Sequence, residues 1–90
     1  MSKLNELKAF LGTMTTEVKG TVHVNGSGFP NAVLTVDFGN PLTPTKLVQH
    51  ETNILTSLMR DATREMVRKK ETSIRVSADT NNGLVYWTSI

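Results

Sequence analysis

The sequence predicts an α+β fold in which residues 1–90 form a single domain ordered α-β-β-α-β-β. Two hairpins build a four-stranded antiparallel sheet, with one long helix packed on one face and a short N-terminal helix. Three observations carry this. Apolar residues recur at helical spacing near the N-terminus and again over 44–70, and at a period of two in between and afterwards. Asn/Gly-rich stretches at 25–28 and 80–83 separate the alternating segments as hairpin loops do. Gly39-Asn40-Pro41-Leu42-Thr43-Pro44 marks the passage from sheet to helix.

Leu4, Leu7, Leu11 and Met14 form the apolar stripe of the first helix, from Ser2 to Leu11 and ending near Gly12. From Glu17 the period becomes two. Val18, Gly20, Val22 and Val24 face one way, and Glu17, Lys19, Thr21 and His23 the other. The second strand alternates Ala32, Leu34, Val36 and Phe38 against Val33, Thr35 and Asp37. Sharing one apolar face leaves two simple registers, with Lys19 or Glu17 opposite Asp37. Opposed like charges destabilise a sheet, which favours Lys19.

Thr43 as N-cap with Pro44 in the first turn starts a long helix running to Lys70. Leu47, Val48, Ile54, Leu55, Leu58, Ala62 and Met66 fall in a sector about 120° wide at about 100° per residue. Glu51 projects into that sector, and the overhang of the first turns beyond the sheet lets it reach water. Ile74, Val76 and Ala78 then alternate with Ser73, Arg75 and Ser77, and the last strand runs from Leu84 to Ile90. A loop of 80–83 sets Ala78 opposite Val85 and Val76 opposite Trp87. Trp87 then packs inward and Tyr86 stands outward beside Lys19, His23, Val33 and Arg75.

The chemistry is sparse. With Cys 0, disulfides, thiolate metal sites and cysteine nucleophiles are excluded. His23 and His50 sit on different elements without ligand spacing, so neither a metal nor a cofactor is expected. Gly26-Ser27-Gly28 lacks the lysine and the following helix of a phosphate loop. The chain reads as a non-enzyme. No stretch approaches the ~18–20 apolar residues of a membrane span, and the N-terminus lacks a signal-peptide core, which reads as cytoplasmic.

The net charge of +2 is unevenly spread. Residues 1–45 carry Lys3, Lys8 and Lys19 against Glu6, Glu17 and Asp37, and so cancel. Residues 46–70 carry Lys46, Arg60, Arg64, Arg68, Lys69 and Lys70 against Glu51, Asp61 and Glu65, leaving +3. Residues 71–90 carry Arg75 against Glu71 and Asp79, leaving −1. Arg60, Arg64 and Arg68 form a ridge about 12 Å long opposite the apolar stripe, with Lys46, Asn53 and Ser57 continuing it. Intrahelical pairs Asp61–Arg64, Glu65–Arg68 and Glu65–Lys69 are available on the same face.

These features point to a small intracellular binding protein, an inhibitor or adaptor that docks on a larger protein or nucleoprotein. Its size and plain composition suit inhibitors that phages deploy against host machinery, working in the host cytoplasm. The expected partner or phosphate contacts are Lys46, Arg60, Arg64, Arg68 and Lys69, and the expected sheet-face contacts are Lys19, His23, Arg75 and Tyr86. One alternative is direct nucleic-acid binding, with the arginines on phosphates and Tyr86 stacking on a base. The other is an assembly subunit or homodimer joined by the N-terminal helix or a sheet edge.

Overall fold

The structure is a computed structural model that describes residues 2–14, 20–24, 34–39, 47–67, 73–79 and 84–89. Its elements are α1 (Lys3–Thr13), β1 (Thr21–Val24), β2 (Leu34–Asp37), α2 (Gln49–Val67), β3 (Arg75–Asp79) and β4 (Val85–Ser89). The element order and the four-stranded antiparallel sheet are those read from the sequence. The spatial order is β1-β2-β4-β3, so the two hairpins meet along β2 and β4.

Helix α1 starts at an N-cap, Ser2, whose Oγ accepts the Asn5 N–H at 3.1 Å. It runs through Gly12 to Thr13, past the expected stop, and Met14 turns the chain into an extended conformation. Leu7, Leu11 and Met14 are buried and pack with Leu55, Met59 and Ala62 of α2. Leu4 and Phe10 are half-buried against the same cluster, so the apolar face of α1 packs on its own chain. A further tie joins the helices: Glu65 of α2 accepts the Lys3 N–H at 3.1 and 3.3 Å. This places a carboxylate at the positive end of α1, where it favours the helix. Glu65 thus serves α1, while Arg68 and Lys69, its expected partners, lie outside the described residues.

Helix α2 begins at Gln49, later than the expected Pro44; Thr43 and Pro44 themselves lie outside the described residues. Leu47 and Val48 precede the helix, and the Val48 carbonyl accepts the Thr52 N–H at 3.0 Å. Leu47 is half-buried against the core cluster, whereas Val48 is 61% exposed, so only the first of the two expected stripe residues packs. The buried side is Leu55, Met59, Ala62 and Thr63, which adds Met59 and a threonine to the expected set. Glu51 is half-buried.

The inner sheet face carries Leu34, Val36 and Phe38, all buried. Thr21 stands opposite Asp37 and Val22 opposite Val36, which corrects the register expected from a Lys19–Asp37 pair. Carried one residue further, the observed register sets Gly20 across from Phe38. The expected register would have set Val18 there. A Cβ on Gly20 would come within 2.9 Å of Phe38 Cε1, so only a glycine leaves room for the ring. Burying Phe38 is worth about 1.5–3 kcal/mol, more than a surface ion pair across strands. At the end of β2, Gly39 has φ 88° and its N–H donates to Asp37 Oδ1 at 2.6 Å. That turn needs the left-handed conformation glycine supplies.

The second hairpin is also corrected. Ala78 pairs with Tyr86, Val76 with Thr88 and Asp79 with Val85. Residues 80–84, one more than expected, therefore separate the paired ends. Because side chains alternate, that single residue exchanges the two faces of β4. Tyr86 faces inward, with its ring edge-on to Phe38 at a centroid distance of 6.3 Å. Thr88 is inward too and fully buried, and its hydroxyl lies 3.1 Å from that of Thr63. Trp87 faces outward.

Candidate functional site

Two surfaces bear the residues expected to make contacts, and they lie on opposite sides of the molecule. The first is the face of α2 turned away from the sheet. Arg60, Arg64, Asn53 and Ser57 are all exposed there, as their spacing requires. With Thr56 and Asp61 they line a shallow, open depression of about 340 Å³. Arg64 Nη1 and Asp61 Oδ1 are 4.0 Å apart, with both side chains nearly half exposed, so this expected pair is loose and solvated. The Gln49 amide donates to Asn53 Oδ1 at 2.8 Å, which holds the end of the depression nearer the helix start. Lys46, Arg68 and Lys69 lie outside the described residues, leaving Arg60 and Arg64 as the described part of the ridge. Two guanidinium groups beside hydroxyl and amide side chains form a donor-rich face suited to phosphate or carboxylate oxygens.

The second surface is the outer face of the sheet. Trp87 stands in one row between Thr35 of β2 and Ser77 of β3, with His23 of β1 beyond Thr35. In the next row Val85 lies between Asp37 and Asp79. Arg75 is exposed, opposite Ser89. His23 and Arg75 thus occupy the expected face, Lys19 lies outside the described residues, and Tyr86 is not on it. Its replacement is Trp87, half-buried and outside the hydrophobic cluster. The sequence signal that could have found it is the length of the 80–84 connection. The rows leave this face with mixed charge: Asp37 and Asp79 flank Val85, and Arg75 stands at the other end of β3 from Asp79.

Comparison with family models, curated proteins and solved structures finds no match, so geometry alone carries the functional argument.

Among the described residues no three His, Asp or Glu side chains are grouped to hold a metal ion. His23 and His50 are both exposed, on β1 and α2. No described helix is long and apolar enough to cross a membrane. A second depression of about 340 Å³, lined by Lys8, Leu11, Gly12, Gly20, Thr21 and Val22, lies between the end of α1 and β1. Its described lining is largely apolar and brings together no acid–base pair.

Proposed function

We propose that this chain is a non-enzymatic binding protein, an inhibitor or adaptor that docks the Arg60–Arg64 face of α2 on an acidic surface of a larger protein or nucleoprotein. The observation that carries this reading is the position of the two arginines. Both are exposed, one turn apart, on the side of α2 opposite the core, beside Asn53, Thr56 and Ser57. Both stand outside the buried core, and the Arg64–Asp61 contact is loose and solvated, so their planar forks can reach carboxylates or phosphates. The +3 excess of residues 46–70 would draw such a surface in before contact. An Arg60→Ala/Arg64→Ala variant tests it. Because both side chains are exposed, folding should change by no more than about 0.5 kcal/mol. Capture of a partner from lysate should be lost with this variant and kept with a His50→Ala control. Equal capture by wild type and the double variant would remove the ridge from the function.

A second reading, direct nucleic-acid binding, is favoured by the hydroxyl and amide groups beside the arginines, which are common phosphate contacts. A gel-shift with naked single- and double-stranded nucleic acid separates the two. A direct binder shifts it strongly at about 50 mM salt and far less at about 200 mM. No shift at either salt leaves the protein or nucleoprotein surface as the target.

A further inference from the structure

The depression on α2 lies between two side-chain rows of i, i+4 spacing, one of Asn53, Ser57 and Asp61 and the other of Thr56, Arg60 and Arg64. These six residues make up two consecutive four-residue holes of the kind that receive a side chain from a neighbouring helix. Asn53, Thr56, Ser57 and Arg60 form the first, and Ser57, Arg60, Asp61 and Arg64 the second. All six belong to the interior of one described helix, and Asn53, Ser57, Arg60 and Arg64 are exposed. The short side chains of Thr56 and Ser57 keep the waist of the groove open to a close helix approach.

The two holes differ in chemistry. In the first, every polar group can donate. The Gln49 amide occupies Asn53 Oδ1, which leaves the Asn53 NH2 to reach outward. Among the described residues, the Thr56 and Ser57 hydroxyls make no hydrogen bond and Arg60 has no carboxylate partner. The second hole adds Asp61 to the two arginines, with Arg64 Nη1 and Asp61 Oδ1 held only loosely at 4.0 Å. It therefore offers an acceptor as well as donors.

Building on the docking role given above to the Arg60–Arg64 face, we propose that its occupant is an α-helix of a partner protein carrying a carboxylate and a carboxamide one turn apart. A ridge of that helix seats between the two rows of α2, and its residues four apart enter successive holes. The carboxylate enters the first hole, where Arg60 and the Asn53, Thr56 and Ser57 donors meet it. The carboxamide enters the second, accepting from Arg60 or Arg64 and donating to Asp61. Asp61 decides against a nucleic-acid strand as occupant, because a phosphate backbone brings only acceptors and negative charge to its carboxylate.

Peptide titrations followed by NMR chemical-shift mapping test this, with circular dichroism confirming that each variant is folded. The probe is an alanine-rich helical peptide with a glutamate and a glutamine four residues apart on one face. Its control carries the same two residues two apart, on different faces. The spaced peptide should bind about tenfold or more tightly than the control, with shifts centred on Ser57 and Arg60. Asp61→Arg should move the preference to a peptide with two glutamates four apart, and should let the protein bind single-stranded DNA. Ser57→Trp fills the wall shared by both holes and leaves both arginines in place, so it should abolish peptide binding. Ser57 is exposed, so this variant keeps its fold. Equal binding of the two peptides, binding of neither, or a wild-type preference for single-stranded DNA overturns the proposal. Partner capture lost in Arg60→Ala/Arg64→Ala but kept in Ser57→Trp overturns the helix alone and leaves docking on an acidic surface standing. Capture unchanged by the arginine substitutions overturns both.

Discussion

The ring of Phe38 occupies the space that any side chain at Gly20 would need, with Cε1 2.9 Å from where a Cβ would stand. Leu11 Cδ2 closes the same space from α1, at 3.0 Å. Gly20 is thus a contact point for β1, β2 and the first helix, and its lack of a side chain is a packing requirement. Gly20→Ala should destabilise the fold by about 1–3 kcal/mol, because Phe38 or Leu11 must leave its place. Gly12→Ala is the matched control, since a Cβ there meets nothing within 4 Å. It should be neutral or stabilise by up to about 1 kcal/mol, as alanine is the better helix former. Urea unfolding of both variants measures the difference, and equal effects would remove the packing argument.

Tyr86 and Trp87 exchange their sequence-expected roles, and the exchange can be measured. Tyr86 is half-buried and lies edge-on to the buried Phe38, so Tyr86→Ala should cost about 1–3 kcal/mol, below the ~3–5 kcal/mol of a fully buried aromatic. Trp87→Ala removes a half-buried side chain on the outer face and should cost less. Tryptophan fluorescence adds a direct check. Trp87 is the only tryptophan, so a soluble quencher should reach the emission in the folded protein. An unquenched, blue-shifted signal would return Trp87 to the core.

The swap between Tyr86 and Trp87 marks the limit of what the sequence pattern specifies. Period and punctuation sufficed for the element order, and parity sufficed for β2, where Leu34, Val36 and Phe38 stand against Thr35 and Asp37. Strand β4 offers no such vote: Leu84 and Tyr86 on one parity match Val85 and Trp87 on the other in apolar character. Its face then depends on one residue of connection length, and the polar residue that settles it, Thr88, is buried. The β1–β2 register is hidden for a related reason: facing charges are a weak constraint, and Gly20 and Phe38 impose a steric one. Of the candidate contacts, Arg60 and Arg64 were legible because helix spacing alone places them outside. Trp87 was not, because its placement is a question of register.

Lys3 supplies a pH-dependent check on the start of α1. Its ammonium lies 3.2 Å from Glu6 Oε2. The hydrogen bond to Glu6 and the charge of Glu6 hold its pKa above the usual 10.5, with smaller contributions from Asp61 and Glu65. A cation whose pKa rises on folding contributes fully below the unfolded value, and the contribution is lost as pH climbs through the folded one. Stability should therefore be insensitive to this pair around neutrality and weaken only in the alkaline range. An NMR titration of the Lys3 side chain should show a midpoint above 10.5 that Glu6→Gln lowers and Glu65→Gln lowers less. A midpoint untouched by Glu6→Gln would break the assignment.

The hydroxyls of Thr63 and Thr88 give the sharpest energetic prediction, because both residues are fully buried at the junction of α2 with β4. They stand 3.1 Å apart, and their other contacts differ in quality. Thr63 Oγ1 donates to the Met59 carbonyl at 2.8 Å, whereas Thr88 Oγ1 reaches the Leu34 carbonyl only at 3.4 Å. Thr88→Val leaves Thr63 with its good acceptor and should cost less than about 1 kcal/mol. Thr63→Val strands the Thr88 hydroxyl on one long contact and should cost about 1–3 kcal/mol, the penalty of a buried polar group left poorly satisfied. The double Val variant removes both hydroxyls with little change in volume, so it should be no worse than Thr63→Val alone. Denaturant unfolding of the four proteins closes the cycle, with a coupling of about 0.5–3 kcal/mol expected for residues in contact. Strictly additive costs would mean that the two hydroxyls do not depend on each other, and that shape alone holds α2 against β4 at this point.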